Sequence, residues 1–263
     1  MLEIVLFSLL LGAFAGFLAG LLGVGGGLVI VPALVGLFSL HGFPPKAIML
    51  MALATSLATI MFTSLASMRA HHRLGAVSWP IVYRLVPGIL IGTALGALLA
   101  DHLETTTLRW LCALYMLTVG VQMALKWQPI MSGIRHTRVL DSIAGLVIGG
   151  MSALVGIGGG TLSVPYLVSC QHPMKNAVAI SSACGFPIAV AGTLSYALLG
   201  WKVPLLPAWS LGYVYLPAFL GIITLSIITA PLGAKLAHKL PAQKLKQIFS
   251  LLLFGAAFKL LWH

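Results

Sequence analysis

The sequence predicts an all-α polytopic membrane protein made of two inverted-topology repeats. Three observations predict it. First, 60% of the 263 residues are apolar and only 7% are charged, where a soluble domain has about a quarter charged. Second, eight long apolar runs follow one another with short linkers between them. Third, a glycine-rich decapeptide occurs twice, as GVGGGLVIVP at 23–32 and GIGGGTLSVP at 156–165. So little polar surface cannot coat a water-soluble core of this size, which excludes soluble enzymes, secreted scaffolds and disordered chains.

The net charge is +11, from 15 Lys and Arg against 4 Asp and Glu. No basic patch interleaves with aromatics, so the expected partner is the lipid bilayer and not nucleic acid. Cys112, Cys170 and Cys184 sit in or beside apolar runs at no metal spacing and read as packing residues, not disulfides. Glu3 is the first charge, so there is no basic n-region, and the first apolar run reads as part of the mature fold.

The runs span 2–39, 47–68, 79–100, 107–125, 142–169, 175–199, 208–231 and 246–262. Most approach the ~20 residues that cross a bilayer. Period-two alternation is absent, which excludes a β-barrel. As one helix, run one would be about 57 Å long, nearly twice the hydrocarbon thickness. It is cut by Gly23-Val24-Gly25-Gly26-Gly27, and run five is cut by Gly156-Ile157-Gly158-Gly159-Gly160. Each interior glycine costs about 1 kcal/mol relative to Ala. Both runs therefore break, as a hairpin or a re-entrant helix pair, with three transmembrane helices after each.

The two motifs divide the chain into an N-terminal repeat (1–128), a cytoplasmic linker (129–139) and a C-terminal repeat (140–263). Charge decides their relative orientation. If each broken run crossed once, the cations would split evenly between the two sides. If each leaves on the side it entered, Lys46, Arg109, Lys202 and Lys259 face one side and the other eleven cations the opposite side. Cytoplasmic loops are rich in Lys and Arg. The expectation is therefore inverted repeats in the cytoplasmic (inner) membrane, with basic loops inside and both termini outside.

Inverted repeats with broken helices mark transporters, and the breaks mark the binding site. Gly25, Gly26, Gly27, Gly158, Gly159 and Gly160 can present consecutive N–H groups as an anion nest. Each run of glycines opens a half-helix whose N-terminus carries partial positive charge. Pro32 and Pro165 read as structural breaks in those half-helices. Thr55, Ser56, Thr161, Ser181 and Ser182 supply hydroxyls for an anion, although each could instead back-bond to a carbonyl. Every Asp and Glu lies at the end of a run, which disfavours a carboxylate proton or Na⁺ relay. No base accompanies a nucleophile, which disfavours an enzyme. The pair His71-His72 reads as a solvated cytoplasmic loop.

At GVGGGLVIVP and GIGGGTLSVP, and again at SSACGFPIAVAGTLSY over 181–196, the chain resembles the TauE/SafE family of sulfite-exporter-like permeases. The resemblance covers essentially the whole chain. It implies movement of small anions such as sulfite, sulfonates or sulfoacetate, often outward. It also implies an inner-membrane location where the host is Gram-negative. The halves depart from symmetry: Thr55-Ser56 aligns with Cys184-Gly185, and Ser181-Ser182 lies a turn earlier.

The expectation is a secondary carrier exporting a small anion of organosulfur or sulfite type by alternating access, with no cofactor and no metal site. The alternatives are a permease for a divalent or other inorganic ion, and a membrane enzyme or scaffold. A homo-oligomer stays open, because Gly88, Gly92 and Gly96 could pack within one chain or between chains.

Overall fold

The computed structural model describes residues 2–22, 26–125, 137–204, 206–237 and 242–262. Gly25 and most of the expected 129–139 linker lie outside the described residues. The first half contains α1 (Leu2–Leu22), α2 (Gly27–Leu40), α3 (Ile48–Arg73), α4 (Trp79–His102) and α5 (Thr105–Ala124). The second contains α6 (Arg138–Val155), α7 (Gly160–Ser169), α8 (Met174–Leu199), α9 (Leu216–Ala237) and α10 (Ala242–Trp262). The chain is an all-α polytopic membrane protein. Among the described residues, α1, α3, α4, α6, α8 and α9 are long and apolar enough to cross a bilayer. Leu10, Leu95, Leu114, Leu194, Ile228 and Leu251 leave large apolar surface exposed, as a lipid-facing exterior requires.

The glycine-broken runs divide into one long and one short helix each. With 14 and 10 residues, α2 and α7 extend about 21 Å and 15 Å. Both are too short for a hydrocarbon core of about 30 Å. The short member of each pair therefore ends inside the protein.

Two expectations are corrected. Run seven does not begin as a helix: β1 (Ser210–Leu211) and β2 (Val214–Tyr215) pair antiparallel before α9 starts. Left-handed backbone at Trp209 and Gly212, with φ of 68° and 55°, turns the chain there. His71 and His72 belong to the last turn of α3, not to a loop.

Contact registers give each helix its direction. Along α1 and α9, Gly12 meets Ile222 and Gly16 meets Ser226, so the two run parallel. Along α3 and α9, Thr55 meets Tyr215 and Phe62 meets Phe219, which is also parallel. Along α4 and α6, Gly88 meets Ser142 and Gly92 meets Leu146, again parallel. Along α6 and α8, Ile148 lies by Gly159, which meets Ile188, and Ala153 meets Tyr196. Along α3 and α8 the order reverses: Ser67 meets Ser182, Ser64 meets Gly185 and Leu57 meets Gly192. Hence α1, α3 and α9 point one way, and α4, α6 and α8 the other.

Helix α3 is the centre of the protein. Its apolar stretch is 83% buried, against 33% for α9 and 44% for α1. Small residues let the outer pairs close. A Cβ added at Gly88, Gly92 or Gly96 would strike the backbone of α6 at Ser142, Leu146 or Gly150. These glycines therefore serve packing within the chain.

Overpacking that seam is the first test. Gly92→Val should lower the melting temperature in detergent, at a cost of about 1–3 kcal/mol or more. Gly255→Ala, where an added Cβ meets nothing within 4 Å, should leave the melting temperature unchanged. Equal stability of Gly92→Val and wild type, by fluorescence-detected size exclusion after heating, would contradict the packing.

Candidate functional site

Both glycine motifs break the chain where left-handed backbone is required. Gly26 caps α2 with φ 77°, and Gly159 caps α7 with φ 76°. An L-residue resists this conformation, and glycine does not. The first bonded amides of α2, at Val29 and Ile30, donate to Gly26 O. Those of α7, at Leu162 and Ser163, donate to Gly159 O. Gly27, Gly160 and Thr161 thus occupy the opening turns of the two short helices, where backbone N–H groups precede the helical ladder. Pro32 and Pro165 do not end these helices. Each is the sixth residue of its helix, and each removes one N–H from the ladder.

The two breaks touch. Gly27 packs on the carbonyl of Gly156 and on Ile157, and a Cβ at Gly27 would strike both. The positive end of α2 therefore faces the terminal carbonyl of α6. Ser56 Oγ–H donates to that same Gly156 carbonyl at 2.8 Å. Ser163 Oγ lies 2.8 Å from Gly159 O and 2.7 Å from Ser181 Oγ. With one proton per hydroxyl, Ser163 donates to the carbonyl while Ser181 donates to Ser163. Thr161 Oγ1 pairs with the Tyr115 hydroxyl. Ser182 Oγ–H bonds Val178 O at 2.9 Å and accepts from Ser67 at 3.2 Å. Thr55 accepts the Tyr215 N–H at 3.0 Å, which ties α3 to the hairpin before α9.

Beside the breaks lies a cavity of about 90 Å³, room for a small anion or a few waters. Helix α3 supplies one wall through Ile60, Thr63, Ser64, Ser67 and His71, with Leu74 just beyond its end. Ile60, Ser64, Ser67, His71 and Leu74 follow one another at four- and three-residue steps, with Thr63 beside Ser64, which makes a single helix stripe. Over the 11 residues from Ile60 to His71 the stripe climbs about 16 Å. Gly158, Ser182 and Gly185 face it, and Ala19, Gly20, Ala230 and Pro231 complete the lining. Helices α3 and α8 bring the hydroxyls, and the residues from α1 and α9 are apolar.

Of the residues singled out in the sequence, the cavity takes Gly158 and Ser182. Ser56, Gly27, Ser181, Thr161, Gly159 and Gly160 support the breaks behind it. Sequence reasoning missed Thr63, Ser64, Ser67 and His71. Their signal was present: polar residues at helical spacing along the C-terminal half of α3.

Two polar groups outside the cavity bear on the halves it separates. Asp141 is fully buried in the first turn of α6. It accepts the Tyr166 hydroxyl at 2.6 Å, and Arg84 Nη1 approaches to 4.0 Å. At the opposite end, Tyr213 donates to Asp101 at 2.7 Å. Burial, then that carboxylate, holds the Tyr213 phenol above its ordinary pKa, so it keeps the proton it donates.

The model of the family described as "Sulfite exporter TauE/SafE" matches residues 8–260. A Haemophilus influenzae protein named as a probable membrane transporter is 40% identical over 258 residues, covering 98% of each chain. A probable membrane transporter of Methanocaldococcus jannaschii is 26% identical over 93% of this chain and 91% of its own. One of Xylella fastidiosa is 28% identical over 96% of this chain and 93% of its own. No solved structure matches.

The Ser56 bond is testable by itself. Ser56→Ala leaves the Gly156 carbonyl without that donor, at a cost of about 1–3 kcal/mol. The melting temperature should fall, while Thr224→Ala, which removes an exposed back-bond to Leu220 O, should leave it within error. An unchanged Ser56→Ala would mean that another group satisfies the carbonyl.

Proposed function

The chain belongs to the TauE/SafE family of membrane transporters, and on that premise we propose that it is a secondary carrier of a small anion. The cargo is of organosulfur or sulfite type, exported across the cytoplasmic membrane by alternating access. The observation that carries this reading is the meeting of two glycine-broken helix pairs beside a hydroxyl-lined cavity. Short helices that end within the protein, with amide groups at their tips, suit an anion without a buried Lys or Arg.

The helix directions support two inverted halves. The openers α1 and α6 run oppositely. Exchanging α1 with α6, α3 with α8 and α4 with α9 carries the α1–α9 pair onto α6–α4. Under this reading the two halves rock about the breaks. The end of α3, the starts of α4 and α6 and the start of α8 share one face, which carries Arg69, Arg73, Arg84, Arg138 and Lys175. By the positive-inside rule that face is cytoplasmic, and both termini lie outside. The cavity ends at His71 and Leu74 on this face, so the conformation reads as inward-facing. A membrane potential negative inside drives an anion outward with about 2.3 kcal/mol per charge per 100 mV. The cycle involves no bond chemistry, so the protein acts as a carrier and not as an enzyme.

Purified protein in proteoliposomes on a solid-supported membrane tests this reading. Sulfite, sulfoacetate, taurine, sulfate, acetate, chloride and Ni²⁺ are applied in turn. The expected result is a saturable current for one or more sulfur anions, abolished in Gly159→Leu while the variant still inserts. A response to Ni²⁺ alone would overturn the anion reading. Full current in Gly159→Leu would remove the breaks from the binding site.

A further inference from the structure

We propose that the cavity selects an organic anion over a bare inorganic one, and that Ala19 of α1 and Ala230 of α9 set the length of apolar tail it accepts. The inference deepens the carrier reading above and rests on it. Its ground is the unequal chemistry of the helices around the cavity. Helices α3 and α8 contribute Thr63, Ser64, Ser67 and Ser182. The described residues that α1 and α9 contribute are Ala19, Gly20, Ala230 and Pro231. None of these four brings a side-chain donor or acceptor, and Pro231 has no backbone N–H either.

The hydroxyls suit the charged head. Thr63 Oγ1–H reaches Ile60 O, and Ser64 Oγ–H reaches Met61 O, at 3.3 Å each. Ser67 donates to Ser182 at 3.2 Å. All three bonds are longer than the ordinary O–H···O separation of about 2.7–2.8 Å, so an anion exchanges for them at little cost. An oxyanion with oxygens on every side is served badly. Those turned toward α1 and α9 lose their water and meet only hydrocarbon. An anion with its oxygens at one end and a short hydrocarbon at the other strands no oxygen and buries apolar surface.

Packing fixes the space for that tail. A Cβ at Gly12 would strike the backbone of Ile222, and one at Gly16 that of Ser226. The next turn of the same register sets Gly20 against Ala230, with Ala19 beside it, where the α1–α9 seam reaches the cavity. The two closed turns hold the helices at their spacing. A side chain enlarged at Ala19 or Ala230 therefore takes its volume from the cavity of about 90 Å³.

Calorimetric titration of the full chain in detergent reads this without transport. The probes are sulfate, the methane-, ethane-, propane- and butanesulfonate anions, and 2-hydroxyethanesulfonate, which matches propanesulfonate in size and charge but ends in a hydroxyl. Affinity should rise about threefold to fourfold for each added methylene until the chain fills the cavity, then fall. Both sulfate and 2-hydroxyethanesulfonate should bind about tenfold more weakly than propanesulfonate. Ala19→Val and Ala230→Val should each shorten the best-bound chain while leaving methanesulfonate within about twofold. Ala230→Ser changes polarity at nearly constant size. It should weaken propanesulfonate and strengthen 2-hydroxyethanesulfonate, whereas a fault in packing weakens both. Equal weakening of the two by Ala230→Ser overturns the role of Ala230. Sulfate and sulfonates of every length binding alike overturns the selection and leaves the anion reading standing. Binding of no anion overturns both.

Discussion

The constraint on which the structure depends is the satisfaction of backbone polar groups at membrane depth. A helix broken inside lipid leaves N–H and C=O groups that no water reaches, each costing several kcal/mol. Here protein groups satisfy the carbonyls at the second break, Gly156–Gly160. The Gly156 carbonyl accepts the Ser56 hydroxyl from α3 and packs against Gly27 at the tip of α2. The Gly159 carbonyl receives the first amides of α7 and the Ser163 hydroxyl, itself backed by Ser181. That break is tolerated because α3 and α8, the most interior of the long apolar helices described, carry Ser56 and Ser181 past it.

Glycine does two different jobs in this chain. At Gly26 and Gly159 it supplies left-handed backbone. At Gly12, Gly16, Gly88, Gly92 and Gly96 it supplies absence of bulk, so that α1 closes on α9 and α4 on α6. In lipid, apolar side chains gain little by association, and close van der Waals contact does the work instead. The tightly zipped outer pairs leave the looser space along the α3–α8 seam. The cavity forms there, lined by hydroxyls of α3 and α8 and by small apolar residues of α1 and α9.

The two ends of that seam differ in polarity and closure. Toward the basic face it opens at His71. Toward the other face Tyr215 closes it, with its ring packed edge-on against Phe38 and Phe43 and its amide held by Thr55. Tyr213 pins the same hairpin to Asp101. Under the carrier reading proposed above, an aromatic plug on one side and a hydroxyl-lined opening on the other correspond to one state of an alternating-access cycle. Thr55 then belongs to the closed side, and Ser56, its neighbour in sequence, to the break.

Much of this was legible in the residues. The membrane class follows from composition, because a chain with 7% charged residues has no other solvent. Both breaks follow from consecutive glycines, and the close packing at Gly88, Gly92 and Gly96 follows from their one-turn spacing. The partners were not legible. Nothing local distinguishes Thr55 from Ser56, yet one bonds a hairpin 160 residues away and the other a carbonyl 100 residues away. The hairpin itself was hidden inside an apolar run, since hydropathy does not report φ at Trp209 and Gly212. His71 and His72 looked like a solvated pair until the end of α3 turned one onto Trp79 and the other into the cavity. By itself the sequence determined the solvent, the number of apolar segments and where the backbone must break, because these depend on each residue's own chemistry. Only the tertiary structure decided which polar groups meet and which line the cavity, because those facts depend on the crossing and register of helices far apart in the chain.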